Sequence, residues 1–197
     1  MSKLSDLVRS PVTRALIALL FVLILGSIFN ADGSFFKWGT HRDMLRHISV
    51  FGILACGMTL VIITAGIDLS VGSILGLSAV LFSLFTIQLQ WSPWIAFSAC
   101  LLIGAACGSL SGGLIAKFKI QPFIATLAMM VFARGVAKWV SGGQKISTAV
   151  LQQDGAYQYV EVPGVFNFLN SKILNDNIAV VTLIFLLCIL ICWVVLA

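Results

Sequence analysis

A single charged residue, Asp68, interrupts the sequence between Ser49 and Leu89. The apolar run that contains it, Ile48 to Leu89, is about forty residues long. A membrane-spanning helix needs roughly 20 apolar residues to cross about 30 Å of hydrocarbon, so the run has room for two spans and a turn. The turn is marked by Thr64-Ala65-Gly66-Ile67-Asp68-Leu69-Ser70-Val71-Gly72-Ser73. A carboxylate left unpartnered in lipid is costly. Asp68 is therefore expected either at the mouth of a tight helix-to-helix turn or inside the membrane, held by protein groups. At a helix N-terminus its oxygens are expected to accept from the amides of Ser70 or Val71, with the positive end of the following helix helping.

Composition excludes a soluble globular protein. The chain is 60% hydrophobic and 10% charged, against about 25% charged residues in ordinary soluble domains. The net charge of +5 does not read as nucleic-acid binding, because no basic patch of the necessary size is present. Cys56, Cys100, Cys107, Cys188 and Cys192 all fall in apolar stretches, form no C-x-x-C, and have no histidine nearby in sequence. They read as packing residues, with no metal or other cofactor implied.

The fold class expected is all-α: a polytopic membrane helical bundle treated as one transmembrane domain over 1–197. Its spans are placed at 11–29, 48–64, 69–89, 94–116, 122–140 and 178–197. Pro11 and Pro122 suit the first turn of a helix, where the missing amide costs nothing. The basic start followed by an apolar run also fits a cleaved signal peptide, but the later spans favour an uncleaved anchor. Asn30 to His47 is expected as an external loop, with Trp38 at headgroup level. Gly72 and Gly76 lie four apart and are expected to leave room for a neighbouring helix. Gly104, Gly108 and Gly112 repeat at the same spacing in the fourth span and predict a close helix contact. Arg134, deep in the fifth span, either faces a polar cavity or helix interface, or snorkels outward; Lys138 and Trp139 belong to the interface.

Ser141 to Asn177 is too long for a simple connection and calls for a short lateral helix or a docking surface. Asn175, Asp176 or Asn177 is expected to cap the last span. Six spans put both ends on one side. With the amino terminus inside, Lys and Arg divide equally between the two sides, so orientation rests on the acids of the outer loops, a mild preference. The apolar ending, without an interfacial residue, suggests a chain truncated at its carboxyl end.

Two blocks carry a resemblance. Gly57-Met58-Thr59-Leu60-Val61-Ile62, followed by Ala65-Gly66-Ile67-Asp68-Leu69-Ser70-Val71-Gly72-Ser73, closely resembles the inner-membrane permease subunits of bacterial ribose, xylose and galactose type ABC importers. Ala116-Lys117-Phe118-Lys119-Ile120-Gln121-Pro122-Phe123-Ile124-Ala125-Thr126-Leu127-Ala128-Met129-Met130, with Ala133-Arg134-Gly135 and Ser141-Gly142-Gly143 after it, agrees in order and position. The resemblance runs from about Leu45 to Trp193. It implies a longer permease that works as a dimer with a second permease subunit, powered by a cytoplasmic ATP-binding subunit and supplied by a periplasmic sugar-binding protein. It also implies that Gly66, Asp68, Ser70, Gly72 and Ser73 form an irregular segment near the translocation path, with Arg134 as the polar member of the fifth helix.

No G-x-x-x-x-G-K-[ST] occurs in the sequence, so ATP hydrolysis is expected on a partner and the chain is not expected to be an enzyme. Two rivals stay open: a secondary transporter, with Asp68 and Arg134 as the candidates for an ion or proton site, and a truncated membrane scaffold that does not transport. For Asp68 itself, a purely structural turn and a place on the path remain the alternatives.

Overall fold

The computed structural model describes residues 10–151, 155–173 and 177–196. Helix α1 spans Pro11–Ile28, with the Ser10 side chain accepting from the amide of Thr13 as a helix cap. A short 3-10 turn, Ala31–Phe36, leads into α2, Trp38–Ile63. Helix α3 is Val71–Ser83 and continues through one π-helical turn, Leu84–Gln88. Helices α4, Pro93–Phe118, and α5, Pro122–Val140, follow. The long polar connection holds a hairpin of β1, Ala149–Leu151, and β2, Tyr157–Tyr159, then α6, Gly164–Asn170. The two-residue strands β3, Lys172–Ile173, and β4, Ile178–Ala179, pair before α7, Val180–Leu196.

Four stretches are long and apolar enough to cross a membrane: α2, Val71–Gln88, α4 and α5. Two shorter apolar helices, Val12–Ile28 and Val180–Leu196, stand beside them. Large apolar side chains are exposed along all of these helices; on α1 the exposed set includes Leu16, Ile17, Leu20, Phe21 and Ile24. Such a surface is stable only against hydrocarbon, because in water it would be one continuous sticky patch.

Two packing units organise the bundle. In the first, α3, α4 and α5 close around Leu77, Leu81, Cys107, Met129 and Ala133. The contacts fix relative directions. The Cys100 thiol donates to the Ser78 carbonyl at 3.5 Å, while Gly104 lies beside Ile74, so α4 runs antiparallel to α3. Thr126 meets Ile67 and Arg134 meets Ser73, so α5 runs parallel to α3. In the second unit, α2 and α7 run parallel: Ser49 Oγ donates to Thr182 Oγ1 at 3.1 Å, Gly52 lies under the Phe185 ring, and the Cys192 thiol donates to the Cys56 carbonyl at 3.7 Å. These directions are those required of spans that alternate across a membrane in chain order.

Helix α6 joins the two units at one end. Its Phe166 ring meets Phe82 of α3 edge-on at 5.4 Å, and its Asn170 carboxamide accepts from Arg46 of α2. The long polar connection thus contains the short lateral helix its length called for. One expectation needs correction. Residues 38–47, read as loop, are the first turns of α2; a helix of 26 residues rises about 39 Å, so its charged start projects beyond about 30 Å of hydrocarbon. Of the three capping candidates, Asn177 uses its Oδ1 to accept from Trp38 Nε1 at 2.6 Å, while Asn175 and Asp176 lie outside the described residues.

Candidate functional site: a broken helix and the cleft above it

Helix α2 ends in a Schellman-type turn. The amide of Ala65 reaches the Ile62 carbonyl at 2.9 Å and that of Gly66 reaches Val61 at 3.0 Å, which satisfies two of the carbonyls a helix end leaves open. The left-handed position is taken by Ala65, at φ 56°, where glycine is usual; its Cβ costs about 1 kcal/mol there. Gly66 is needed for a different reason: a Cβ on it would sit 3.2 Å from both Val61 Cγ1 and the Val61 carbonyl oxygen. The chain then runs without helix from Gly66 to Ser70.

Asp68 closes this segment locally. Its Oδ1 accepts from the Ser70 amide at 2.7 Å and from the Ser70 hydroxyl at 2.6 Å. The residue flanking α3 is Ser70 itself, already in helical conformation at φ −82°, ψ −18°. Asp68 therefore stands two residues ahead of the flanking position, not in it, and still contributes negative charge beside the helix's positive end. Among the described residues no cation lies within 4.0 Å of it. Ser70 is 1% exposed, and its carbonyl accepts from the amides of Ser73 and Ile74, both at 2.9 Å. From α5, the buried Thr126 hydroxyl stands 2.9 Å from the Pro122 carbonyl and 3.1 Å from that of Ile67, so it ties the irregular segment to the start of α5.

These bonds yield a prediction. Asp68→Ala removes the acceptor for two hydrogen bonds and is expected to lower stability by about 1–3 kcal/mol. Asp68→Asn keeps an oxygen at the same place and should retain most of it. Denaturant unfolding of both variants in detergent micelles checks the difference; equal losses would refute the hydrogen-bonding account.

Above the turn, α3 and α5 separate to form a cleft of about 260 Å³. One wall is Gly72, Ser73, Gly76 and Val80; the other includes Arg134, Lys138, Ser141 and Gln144. The first wall repeats every fourth residue from Gly72; on the second, Arg134, Lys138 and Ser141 fall on one face at the end of α5, and Gln144 follows in the turn beyond it. Arg134 Nη2 lies 3.5 Å from Ser73 Oγ, at the weak limit of a hydrogen bond. Arg134 lines this cleft. Among the described residues the cleft contains no carboxylate, and its polar groups are chiefly donors.

The cleft and the turn gather the residues unequally. Gly72, Ser73 and Arg134 line the cleft together, whereas Gly66, Asp68 and Ser70 build the turn. Gly72 and Gly76 do not receive a neighbouring helix: nothing lies within 4 Å of where a Cβ on either would be, and the room they leave is the cleft. Of the glycine stripe, only Gly104 touches another helix, at Ile74; nothing lies within 4 Å of the Cβ position at Gly108 or Gly112. The face of α4 that packs runs through Ala96, Cys100, Ile103, Cys107 and Ser111 instead. Lys138, Ser141 and Gln144 were not singled out as site residues; the spacing of Lys138 and Ser141 from Arg134 is the signal that would have found those two, whereas Gln144 lies in the turn beyond α5.

Over residues 42–197 the sequence matches the family described as "Branched-chain amino acid transport system / permease component". It is 42% identical over 136 residues to the ribose import permease protein of Escherichia coli, covering 68% of this chain and 41% of that protein. It is 32% identical over 153 residues to the fructose import permease protein of Bifidobacterium longum, covering 74% of this chain and 43% of that protein. To the xylose transport system permease protein of Escherichia coli it is 33% identical over 142 residues, covering 71% and 36% respectively. The chain therefore spans about two-fifths of the length of the curated relatives it matches. No solved structure matches it.

Proposed function

Because the chain belongs to the branched-chain amino acid transport system / permease component family, we propose that it is a membrane-spanning permease subunit of an ATP-driven monosaccharide importer. It is a multi-pass protein of the inner membrane, and its role is translocation rather than catalysis. Residues 1–197 act as one transmembrane unit with six spans, the two shorter apolar helices included. The cleft between α3 and α5 forms part of the sugar path. That cleft is the observation that carries the reading: it is an open groove with glycines on one wall and Arg134 and Lys138 on the other, directly above a helix break. Irregular backbone at membrane depth is tolerated where protein or a wet cavity satisfies it, and broken helices line substrate sites in other transporters.

The mechanism follows from these parts. A sugar is uncharged and rich in hydroxyl oxygens, which accept from the Arg134, Lys138 and Gln144 donors while Gly72 and Gly76 leave it room. The turn at Gly66–Ser70 holds the inner end of the cleft through Asp68 and Thr126. ATP binding on a cytoplasmic partner rocks α3 and α5 so that the cleft faces one side at a time. A periplasmic sugar-binding protein delivers the substrate, and a second permease subunit completes the path. The sugar named for each relative belongs to that relative; a small monosaccharide is the class proposed here.

The test is association. Co-expressed with an ATP-binding subunit of this transporter class, and with the further permease sequence that the relatives possess, the chain is expected to co-purify with that subunit. Sugar uptake into vesicles should then require ATP. Uptake driven by an ion gradient without ATP, or no association at all, would refute the proposal.

A further inference from the structure

A second polar pocket lies apart from the cleft, at the opposite end of α3 from the turn. It occupies about 340 Å³ between the π-helical turn of α3 and the β1–β2 hairpin, and is lined by Gln88, Gln90, Gln158, Tyr159 and Glu161 among others. Its size is at the lower end of small-molecule sites, roughly 300–1,000 Å³. The surrounding backbone is fixed. Gln158 pairs with Val150 across the hairpin. Gln90 holds a left-handed conformation at φ 52°, with its side-chain Nε2 donating to the Ile87 carbonyl at 2.6 Å.

We propose that this pocket is an outer binding subsite for a neutral monosaccharide. The inference rests on the importer reading for the sugar class, and on the pocket itself for the site. Its chemistry differs from that of the cleft: three carboxamides, a phenol and one carboxylate, with no lysine or arginine among the lining residues. Carboxamides both donate and accept, and a carboxylate accepts from two neighbouring hydroxyls at once, so the set complements a ring that presents several hydroxyls. Among the described residues an anion finds no cation in the lining, and a divalent metal finds one carboxylate, too few for a hard-cation site. The pocket abuts Ile87 and Gln88 at the outer end of α3, the helix whose inner half lines the cleft. A sugar held there waits at the outer approach to the path.

Saturation-transfer NMR on the full chain in lipid nanodiscs tests this, with ribose, xylose and galactose as separate probes. The measurement is made in a Gly76→Leu background, in which the inner cleft is filled, so that the signal reports the outer pocket. At least one sugar is expected to give a saturable signal, which Glu161→Gln weakens about tenfold through loss of a charged hydrogen-bond acceptor and Gln88→Ala also weakens. Both positions are exposed, and neither substitution threatens folding. Absence of any saturable signal in this background, or a signal indifferent to both substitutions, overturns the subsite. Ca²⁺ binding with no sugar signal overturns it in favour of a cation site. The importer reading is judged separately, by ATP-dependent uptake.

Discussion

Leucine at position 76 is expected to stabilise the helix and block the path together. Gly76 lies inside α3, and nothing stands within 4 Å of the place its Cβ would take. Replacing a helix-interior glycine by leucine adds up to about 1 kcal/mol of helix preference. The same side chain projects into a cleft of about 260 Å³ between α3 and α5, where it takes the space proposed for the sugar. Uptake by the assembled importer should fall roughly tenfold or more, as expected when a small-molecule site is filled, while unfolding shifts toward higher denaturant. Ordinary damage moves both quantities downward, so the opposite signs separate a blocked path from a broken fold. Normal uptake by a stably inserted Gly76→Leu chain would show that the cleft carries no substrate.

The second large effect concerns the α2–α7 pair. The Phe185 ring lies directly over Gly52, so closely that even a methyl group there overlaps Cε2 and Cζ. Gly52→Leu must push the ring aside or separate the helices, and the neighbouring Ser49–Thr182 hydrogen bond at 3.1 Å goes with them. Overpacking of this kind typically costs 1–3 kcal/mol, and a branched side chain against an aromatic ring is expected at about 3. Phe185→Ala in the same chain removes the obstacle and should restore most of the loss, so the two changes couple strongly in a double-mutant cycle. Additive losses, measured by denaturant unfolding in mixed micelles, would mean that the ring and the glycine do not meet.

How much of this was legible in the sequence depends on what each signal encodes. The fifth span, expected at 122–140, is α5 at Pro122–Val140, because a proline suited to the first turn and an interfacial Lys138-Trp139 mark its two ends. The start of α2 was misplaced by ten residues: mixed charge reads as loop, yet a helix can project beyond the lipid and pair its charges there, as Arg46 does with Asn170. The glycine repeat in α4 encodes a capacity for close approach and names no partner. Gly104 uses that capacity against Ile74, whereas Gly108 and Gly112 have nothing within 4 Å. The helix break was visible because one carboxylate in an apolar run demands a local solution, and Asp68 finds it in Ser70; the break ends at Ser70, so Gly72 and Ser73, expected in the irregular segment, belong to the first turn of α3. The cleft was not visible, because its walls are about sixty residues apart in sequence and only the parallel docking of α3 and α5 joins them.

The two polar centres have different parts in the account. The Asp68 turn closes on itself, with its hydrogen bonds made to Ser70 and with Thr126 bracing the adjoining carbonyl. Arg134 and Lys138 face open volume instead, with the Ser73 hydroxyl 3.5 Å from the guanidinium. A charged side chain in a membrane helix is costly unless it faces protein or a water-filled cavity, so the cleft is also what permits Arg134 where it is.

The most direct test places a reporter on the cleft floor. In a chain whose five native cysteines are replaced, Ser73→Cys is exposed in the assembled importer to a membrane-impermeant thiol reagent added from the outer side. Alternating access by this cleft predicts rapid modification in one nucleotide state and protection in the other, with excess sugar slowing the reaction. A cysteine at position 73 that stays unreactive from the outer side in every nucleotide state, or reacts no faster than one at Leu102, exposed on the apolar surface of α4, would contradict it.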